Sequence, residues 1–271
     1  MTDLFKNIDW RKQIFPRREN LTDDLTTIDF LKAAALILMI IDHVGWLLLP
    51  DFEILRTFGR LSAPLWFFLI GYARTREIPM RWFIAVFILF LSSVLVGLQP
   101  IPLSILMVMA LTRVIIDPFW RWAKNYQVYF WWMILLLIFF AYPTDMFLEY
   151  GTMGFLIALA GYAVRNRADI IQDFGNRFPE MLMIVALGAY GTLEAMIFGM
   201  SAINVMILAA GLIGTYFILI DFESKTLPGT AGDVQAPLVR FMGRYTLEIY
   251  VIHLLILKAV FGLQMIARWV L

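Results

Sequence analysis

The chain has no cysteine among its 271 residues, so thiolate nucleophiles, cysteine-ligated metals and disulfides are excluded; the absence says nothing of compartment. Histidine is nearly missing as well, at two residues. Charge is sparse: 16% of residues are charged, where a soluble domain carries about 25%. The 22 basic and 21 acidic residues leave a net charge of +1, which is no footprint for nucleic acid. Runs of alternating apolar and polar residues are missing, which excludes a β-barrel. No internal repeat is visible, so a transporter built from inverted repeats gets no support.

What fills the chain is apolar. Residues of the hydrophobic set make up 61%, against roughly 45–50% in soluble domains. A larger core cannot absorb that excess, because a soluble surface needs polar cover. The composition therefore describes an integral membrane protein. Residues 1–26 are polar and charged and read as a cytoplasmic N-terminal segment rather than a cleaved signal peptide. Residues 27–271 read as a single transmembrane domain. Apolar runs near 27–49, 57–73, 82–98, 102–116, 128–142, 150–164, 180–198, 202–220 and 243–266 predict about nine helices, eight to ten in range. The expected fold is an all-α polytopic membrane protein around a central polar cavity. The segment 221–242 is too short to be a domain.

Basic residues fall in alternate segments. Lys6, Arg11, Lys12, Arg17 and Arg18 precede the first helix, and Arg74, Arg76 and Arg81 follow the second. Arg121 and Lys124 follow the fourth, Arg165, Arg167 and Arg177 the sixth, and Lys225, Arg240 and Arg244 the eighth. The opposite side holds only Arg56, with Asp51, Glu53, Asp145 and Glu149 beside it. The positive-inside rule then puts the N-terminus in the cytoplasm and, with nine spans, the C-terminus outside.

Charges inside spans are costly and face the bundle interior, so each is a functional candidate. They are Asp29, Lys32, Asp42, His43, Arg60, Arg113, Glu194, Glu248, His253 and Lys258. Both histidines fall in this set, and histidine is the side chain best suited to move protons near neutral pH. Lys32 and His43 are eleven residues apart, which returns them to nearly one helix face about 16 Å apart. Asp29 sits one turn before Lys32 and is placed to pair with it; the plainer reading has Lys32 snorkelling to the interface. Asp42 adjoins His43 in sequence and so points elsewhere. Arg60 reads either as an anion-holding group or as an interfacial anchor. Gly59, Ser62 and Ala63 allow close helix approach, and Pro64 loosens a backbone carbonyl. Glu248 and His253, five apart, diverge by about 140°.

The Lys-x10-His of the first helix, ending in Asp42-His43, resembles the TraX family together with Gly59-Arg60-Leu61-Ser62-Ala63-Pro64-Leu65 and Phe68-Leu69-Ile70-Gly71-Tyr72. That family's founding activity is N-terminal acetylation of a conjugative pilin. The segment Gly243-Arg244-Tyr245-Thr246-Leu247-Glu248-Ile249-Tyr250-Val251-Ile252-His253 is similar to the closing helix of the wider acyltransferase 3 superfamily. Its members carry Arg- or Lys-x10-His and move acyl groups, usually from acyl-CoA, onto sugars, lipids or peptides. Lys32 stands where many members have arginine, and a bidentate hold is then lost. The resemblance covers the first, second and last helices.

It implies an acyl-CoA-dependent acetyltransferase of the bacterial inner membrane, with no metal. Acetyl-CoA would enter from the cytoplasm, held by Lys32, Arg74 and Arg76 with Tyr72 at the inner rim. His43 would be the general base, with Asp42, Arg60 and His253 as further catalytic candidates, Arg60 for the oxyanion. The acceptor would be a pilin-like protein N-terminus, a glycan or a lipid. Direct transfer is the expectation, with an acetyl-His43 intermediate as the alternative. A rival reading is a proton-coupled transporter with His43, Asp42 and Glu248 as its relay.

Overall fold

A computed structural model describes residues 24–270. The five basic residues expected before the first helix, Lys6, Arg11, Lys12, Arg17 and Arg18, lie outside the described residues. The described residues are mainly helical, with one two-residue antiparallel ladder, β1 (Leu25–Thr26) with β2 (Thr226–Leu227), and an isolated parallel bridge between Leu103 and Leu148. That ladder ties the segment 221–235, which precedes the last two helices, to the start of the first helix.

Helix α1 (Thr27–Leu47) begins at a capping box. Thr26 Oγ1 accepts from the Asp29 backbone N–H at 3.1 Å, and Asp29 Oδ2 accepts from that of Thr26 at 3.0 Å. Sequence spacing pairs Asp29 with Lys32; instead it closes the helix end, and its Oδ1 lies 3.9 Å from Arg244 Nε. The unpaired amides of a first turn draw the carboxylate more strongly than a lysine one turn on.

The single helix expected over 57–73 is two, α2 (Glu53–Gly59) and α3 (Ser62–Tyr72). Pro64 has no N–H to offer the carbonyl four residues back, which belongs to Arg60. The Tyr190 hydroxyl donates to that carbonyl at 2.6 Å, so the break is sealed from another helix. Gly59 holds the break against α1. A Cβ there would stand 2.3 Å from Asp42 Cβ and 2.5 Å from its Cα.

The remaining helices are α4 (Met80–Leu95), α5 (Ile105–Asn125), α6 (Gln127–Phe139), α7 (Ala141–Asp145), α8 (Gly151–Arg165), α9 (Arg167–Phe174), α10 (Phe178–Ile197), α11 (Ala202–Ile220), α12 (Ala236–Arg244) and α13 (Thr246–Val270). Among the described residues four helices are long and apolar enough to cross a membrane: α1, α10, α11 and α13. The other apolar elements are shorter, at 11 residues in α3, 16 in α4, 13 in α6 and 15 in α8. The run expected over 102–116 continues to Asn125, because its last turns carry Arg121 and Lys124 on a helix that remains intact through Pro118. The run expected from 243 is divided, with amphipathic α12 ahead of the apolar α13.

Helix α8 is the hub. Leu156, Ile157, Ala158, Leu159 and Ala160 are all fully buried, so the helix is apolar on every side and enclosed on every side. In lipid such packing is held by close contact rather than by water exclusion. Small residues supply it. A Cβ at Gly71 of α3 would stand 1.8 Å from the Ala158 carbonyl oxygen, and one at Gly161 would stand 2.3 Å from that of Phe68. Both obstacles are backbone, so no side chain can turn aside. Gly71→Ala is therefore expected to cost at least about 3 kcal/mol, the upper end for overpacking, seen as a lowered unfolding midpoint in detergent. A wild-type midpoint would show that α3 and α8 separate freely.

A histidine pair between two cavities

One face of α1 serves two adjoining cavities. Ile28, Lys32 and Met39 line the first; Asp42, His43 and Trp46 line the second. All six lie within an arc of about 100° on the helix wheel, so the sequence expectation that Lys32 and His43 share a face holds. Helix α13 runs alongside. Its Tyr250 lines both cavities and forms the wall between them.

The first cavity, about 690 Å³, is basic. Lys32, Arg74, Arg81, Arg113 and Arg165 line it, and no carboxylate among the described residues does. Aromatic faces help to hold this charge: the Arg165 guanidinium lies 5.0 Å from the Tyr72 ring centre and that of Arg113 lies 4.6 Å from Trp82. Arg113 also donates to the Glu77 carbonyl. Tyr72 lies on this wall, and its hydroxyl accepts from the Ser224 backbone N–H at 3.2 Å. Arg76 does not join them. It donates to both oxygens of Asp117 at 3.1 Å and to the Ala73 carbonyl at 2.7 Å. The orphan carbonyls at the end of α3 have claimed it as a cap. Sequence reasoning ranks it with Arg74; spacing alone does not reveal which cation a helix end takes.

The second cavity, about 460 Å³, is lined by His43 with Asp42, Arg56, Arg60 and Lys258. His43 lies on its wall at 8% exposure. Its Nδ1 is 2.8 Å from Nε2 of His253, whose own Nδ1 is 2.8 Å from the Ile249 carbonyl oxygen. The carbonyl can only accept, so Nδ1 of His253 carries the proton. With neutral rings, Nε2 of His253 is then a lone pair and accepts from the Nδ1–H of His43. The chain leaves Nε2 of His43 unprotonated. A partner that fixes the tautomer in this way is what a general base requires. His253 stands behind His43 and is not among the residues that line the cavity.

Asp42 is not the group that orients the imidazole. Its Oδ1 lies 3.3 Å from Arg56 Nε and 3.3 Å from Arg60 Nε. Arg60 also reaches Glu194 Oε2 at 3.4 Å, donates to the Tyr150 hydroxyl at 3.1 Å and lies 4.3 Å from the Phe198 ring centre. It is 7% exposed, so the plainer alternative of an interfacial anchor does not describe it. Two guanidinium and two carboxylate groups compensate one another here. Arg60 thus binds α1, α10 and the turn before α8 together. Tyr150 reaches it from a left-handed backbone with φ of 68°, a strained setting for a bulky residue. The Asp145 carboxylate steadies that turn, accepting from the Tyr150 N–H at 2.7 Å. Nothing in the sequence marks Tyr150 or Tyr190 as members of this network.

Glu149 and Asp145 also line the cavity, and neither carboxylate has a salt-bridge partner among the described residues. Glu149 Oε2 accepts from the Ile105 N–H at 2.9 Å. Burial pushes the Glu149 carboxyl above its ordinary range, while that bond and the Arg60 charge pull it back. Glu248, a member of the suggested proton relay, is elsewhere: it pairs with Arg81 at 3.3 Å. The relay of His43, Asp42 and Glu248 is therefore not assembled.

Fold and site define an all-helical protein with helices of membrane-spanning character and a buried histidine pair beside a basic cavity. The chain belongs to the TraX family: the family model described as TraX protein matches residues 27–261. It is 24% identical over 237 residues to the uncharacterized protein RP591 of Rickettsia prowazekii (strain Madrid E), covering 86% of this chain and 91% of that one. No solved structure matches it.

Proposed function

We propose that this protein is a multi-pass inner-membrane acetyltransferase that carries acetyl from cytoplasmic acetyl-CoA to an acceptor amine or hydroxyl. The observation that carries the reading is the pair of neighbouring cavities that share Tyr250 as a wall, one whose charged residues among those described are all cations and the other lined by His43. A polyanionic nucleotide suits the first, and a thioester reaching past Tyr250 would meet Nε2 of His43 in the second. Lys32 marks the end of α1 that the basic loops assign to the cytoplasm, and His43 lies about 16 Å further along, the reach of an extended pantetheine arm. Nine spans, some completed by short helices buried among their neighbours, fit the same orientation. The membership in an acyltransferase superfamily is part of this proposal.

His43 then takes a proton from the acceptor as the acceptor attacks the thioester. Glu149 and Asp145 favour an amine over a hydroxyl: an acceptor arriving as an ammonium meets carboxylates that have no cation in contact among the described residues, gives its first proton to one of them, and attacks as the neutral amine. The acceptor of this reading is an exposed amine such as a pilin-like protein N-terminus, with a glycan or lipid hydroxyl as the second class.

The test is transfer of labelled acetyl from acetyl-CoA to a short peptide with a free N-terminus, by purified protein in lipid nanodiscs. No transfer to peptide, glycan or lipid acceptors would remove the proposal. Within the same assay, replacing Arg113 and Arg165 together by alanine is expected to raise the KM for acetyl-CoA about a hundredfold or more, each of the two lost charge-assisted contacts weighing about 1.5 kcal/mol or more. The kcat should stay within about threefold, since these residues line the other cavity and not that of His43. An unchanged KM would move the nucleotide out of the basic cavity.

A further inference from the structure

Helix α13 turns Tyr250, Leu254 and Lys258 to the His43 cavity, one residue per turn. Lys258 stands at the midpoint of this 25-residue helix and is 5% exposed. Its ammonium donates to the Leu89 carbonyl at 2.9 Å, to Ser92 Oγ at 3.0 Å and to Ser93 Oγ at 2.7 Å. All three acceptors are neutral. Arg56 and Arg60, the other cations of this cavity, each touch a carboxylate. Lys258 touches none among the described residues; Glu149 acts on it across the cavity and not in contact.

A buried cation without a contacting anion is costly in a membrane, where charges pair or serve a site. Its hydrogen bonds also contain a slack member. The Leu89 carbonyl accepts from Ser92 Oγ at 2.8 Å and Ser93 Oγ at 3.1 Å besides Lys258, three donors on two lone pairs. The bond from Lys258 to Leu89 is the one an incoming oxygen can replace, while the two serines keep the ammonium in place. Arg60 is the sequence candidate for an oxyanion; its charge is already spent on Asp42 and Glu194.

We propose that Lys258 is a catalytic residue that meets the oxyanion of the tetrahedral intermediate, an inference that rests on the acetyl-transfer reading. The acceptor nitrogen bonds to the thioester carbon while Nε2 of His43 takes its proton. The carbonyl π pair moves onto oxygen, and Nζ–H of Lys258 bonds to that oxyanion. Collapse restores the carbonyl and breaks the C–S bond, and the departing thiolate takes the proton from His43. Lys258 keeps its own proton throughout. Preorganised charge in a dry site is the largest single contribution in such reactions.

The test compares Lys258→Gln, Lys258→Met and Lys258→Arg with wild type in nanodiscs, with acetyl-CoA and a peptide amine. Glutamine and methionine are expected to lower kcat by about 10²–10³-fold with the KM for acetyl-CoA within about twofold, and arginine to keep kcat within about tenfold. Ser93→Ala, which loosens the ammonium and leaves the charge, should lower kcat several-fold and serves if the charge-removing variants do not fold. A folded Lys258→Gln protein with wild-type kcat overturns the proposal and leaves lysine as a staple between α4 and α13. So does an acetyl group found covalently on Lys258 of the wild type, which would make it a nucleophile. If wild type transfers acetyl and only the lysine variants are unaffected, this inference alone fails; if wild type transfers none, the acetyltransferase reading fails first.

Discussion

Replacing His43 by asparagine is expected to reduce acetyl transfer by about 10³-fold while leaving the fold intact. The asparagine Nδ2 can still donate to Nε2 of His253, so the helix contact between α1 and α13 survives in kind. What it lacks is a basic nitrogen on the cavity side, and a positioned general base contributes about 10²–10⁴-fold. His253 gives a graded companion. His253→Gln retains a carbonyl that can accept from Nδ1–H of His43, so a loss of about tenfold in kcat is expected. His253→Phe removes the acceptor and frees His43 to adopt the wrong tautomer, with a loss of about 10²-fold. The acetyl-CoA KM should be unchanged in all three, because neither histidine lines the basic cavity. The measurement is initial-rate kinetics beside unfolding midpoints in the same detergent. A folded His43→Asn protein that transfers at the wild-type rate would end the role of the histidine pair as a base.

Much of this site is legible in the sequence because membranes make charges conspicuous. Lys32, His43, Arg60, Glu194, His253 and Lys258 all stand out against apolar runs, and helical geometry alone puts Lys32 and His43 on one face. Long-range pairing is not legible. His43 and His253 are 210 residues apart, and no local pattern says that α13 comes to lie beside α1. For the same reason the sequence shows only that Asp42 points away from His43, and not that its carboxylate turns to Arg56 and Arg60 across the α2–α3 break. That break can be read in part, since Pro64 frees a carbonyl. The hydroxyl that takes it, from Tyr190, cannot. Nine apolar runs are read and four helices of full spanning length are found among the described residues, because composition records apolarity and not the breaks after Gly59 and at Phe140 that interrupt it. The basic residues around Lys32 are visible chiefly as a topology signal. That Arg81, Arg113 and Arg165 join it while Arg76 caps α3 depends on where the helix ends fall.

Arg60→Leu is expected to be strongly destabilising, at about 3–5 kcal/mol. In the native state two guanidinium groups balance the carboxylates of Asp42 and Glu194; without Arg60, the Arg56 contact serves Asp42 and Glu194 is left buried with no cation in contact. The Tyr150 hydroxyl, reached from its left-handed turn, also loses its donor. Arg60→Lys keeps the charge and cannot span three partners with one ammonium, so a smaller loss of about 1–2 kcal/mol follows. The decisive variant is the double change Arg60→Leu with Glu194→Leu. It removes one charge of each sign and leaves Arg56 with Asp42, so it should recover about half of the single-mutant loss, a non-additivity that a double-mutant cycle reads directly. The two roles considered for Arg60 then separate. A clamp predicts low unfolding midpoints and a transfer rate per folded molecule within about tenfold of wild type in the double variant. A native midpoint with transfer abolished would instead restore Arg60 as the group that meets the oxyanion, and would take that part away from Lys258.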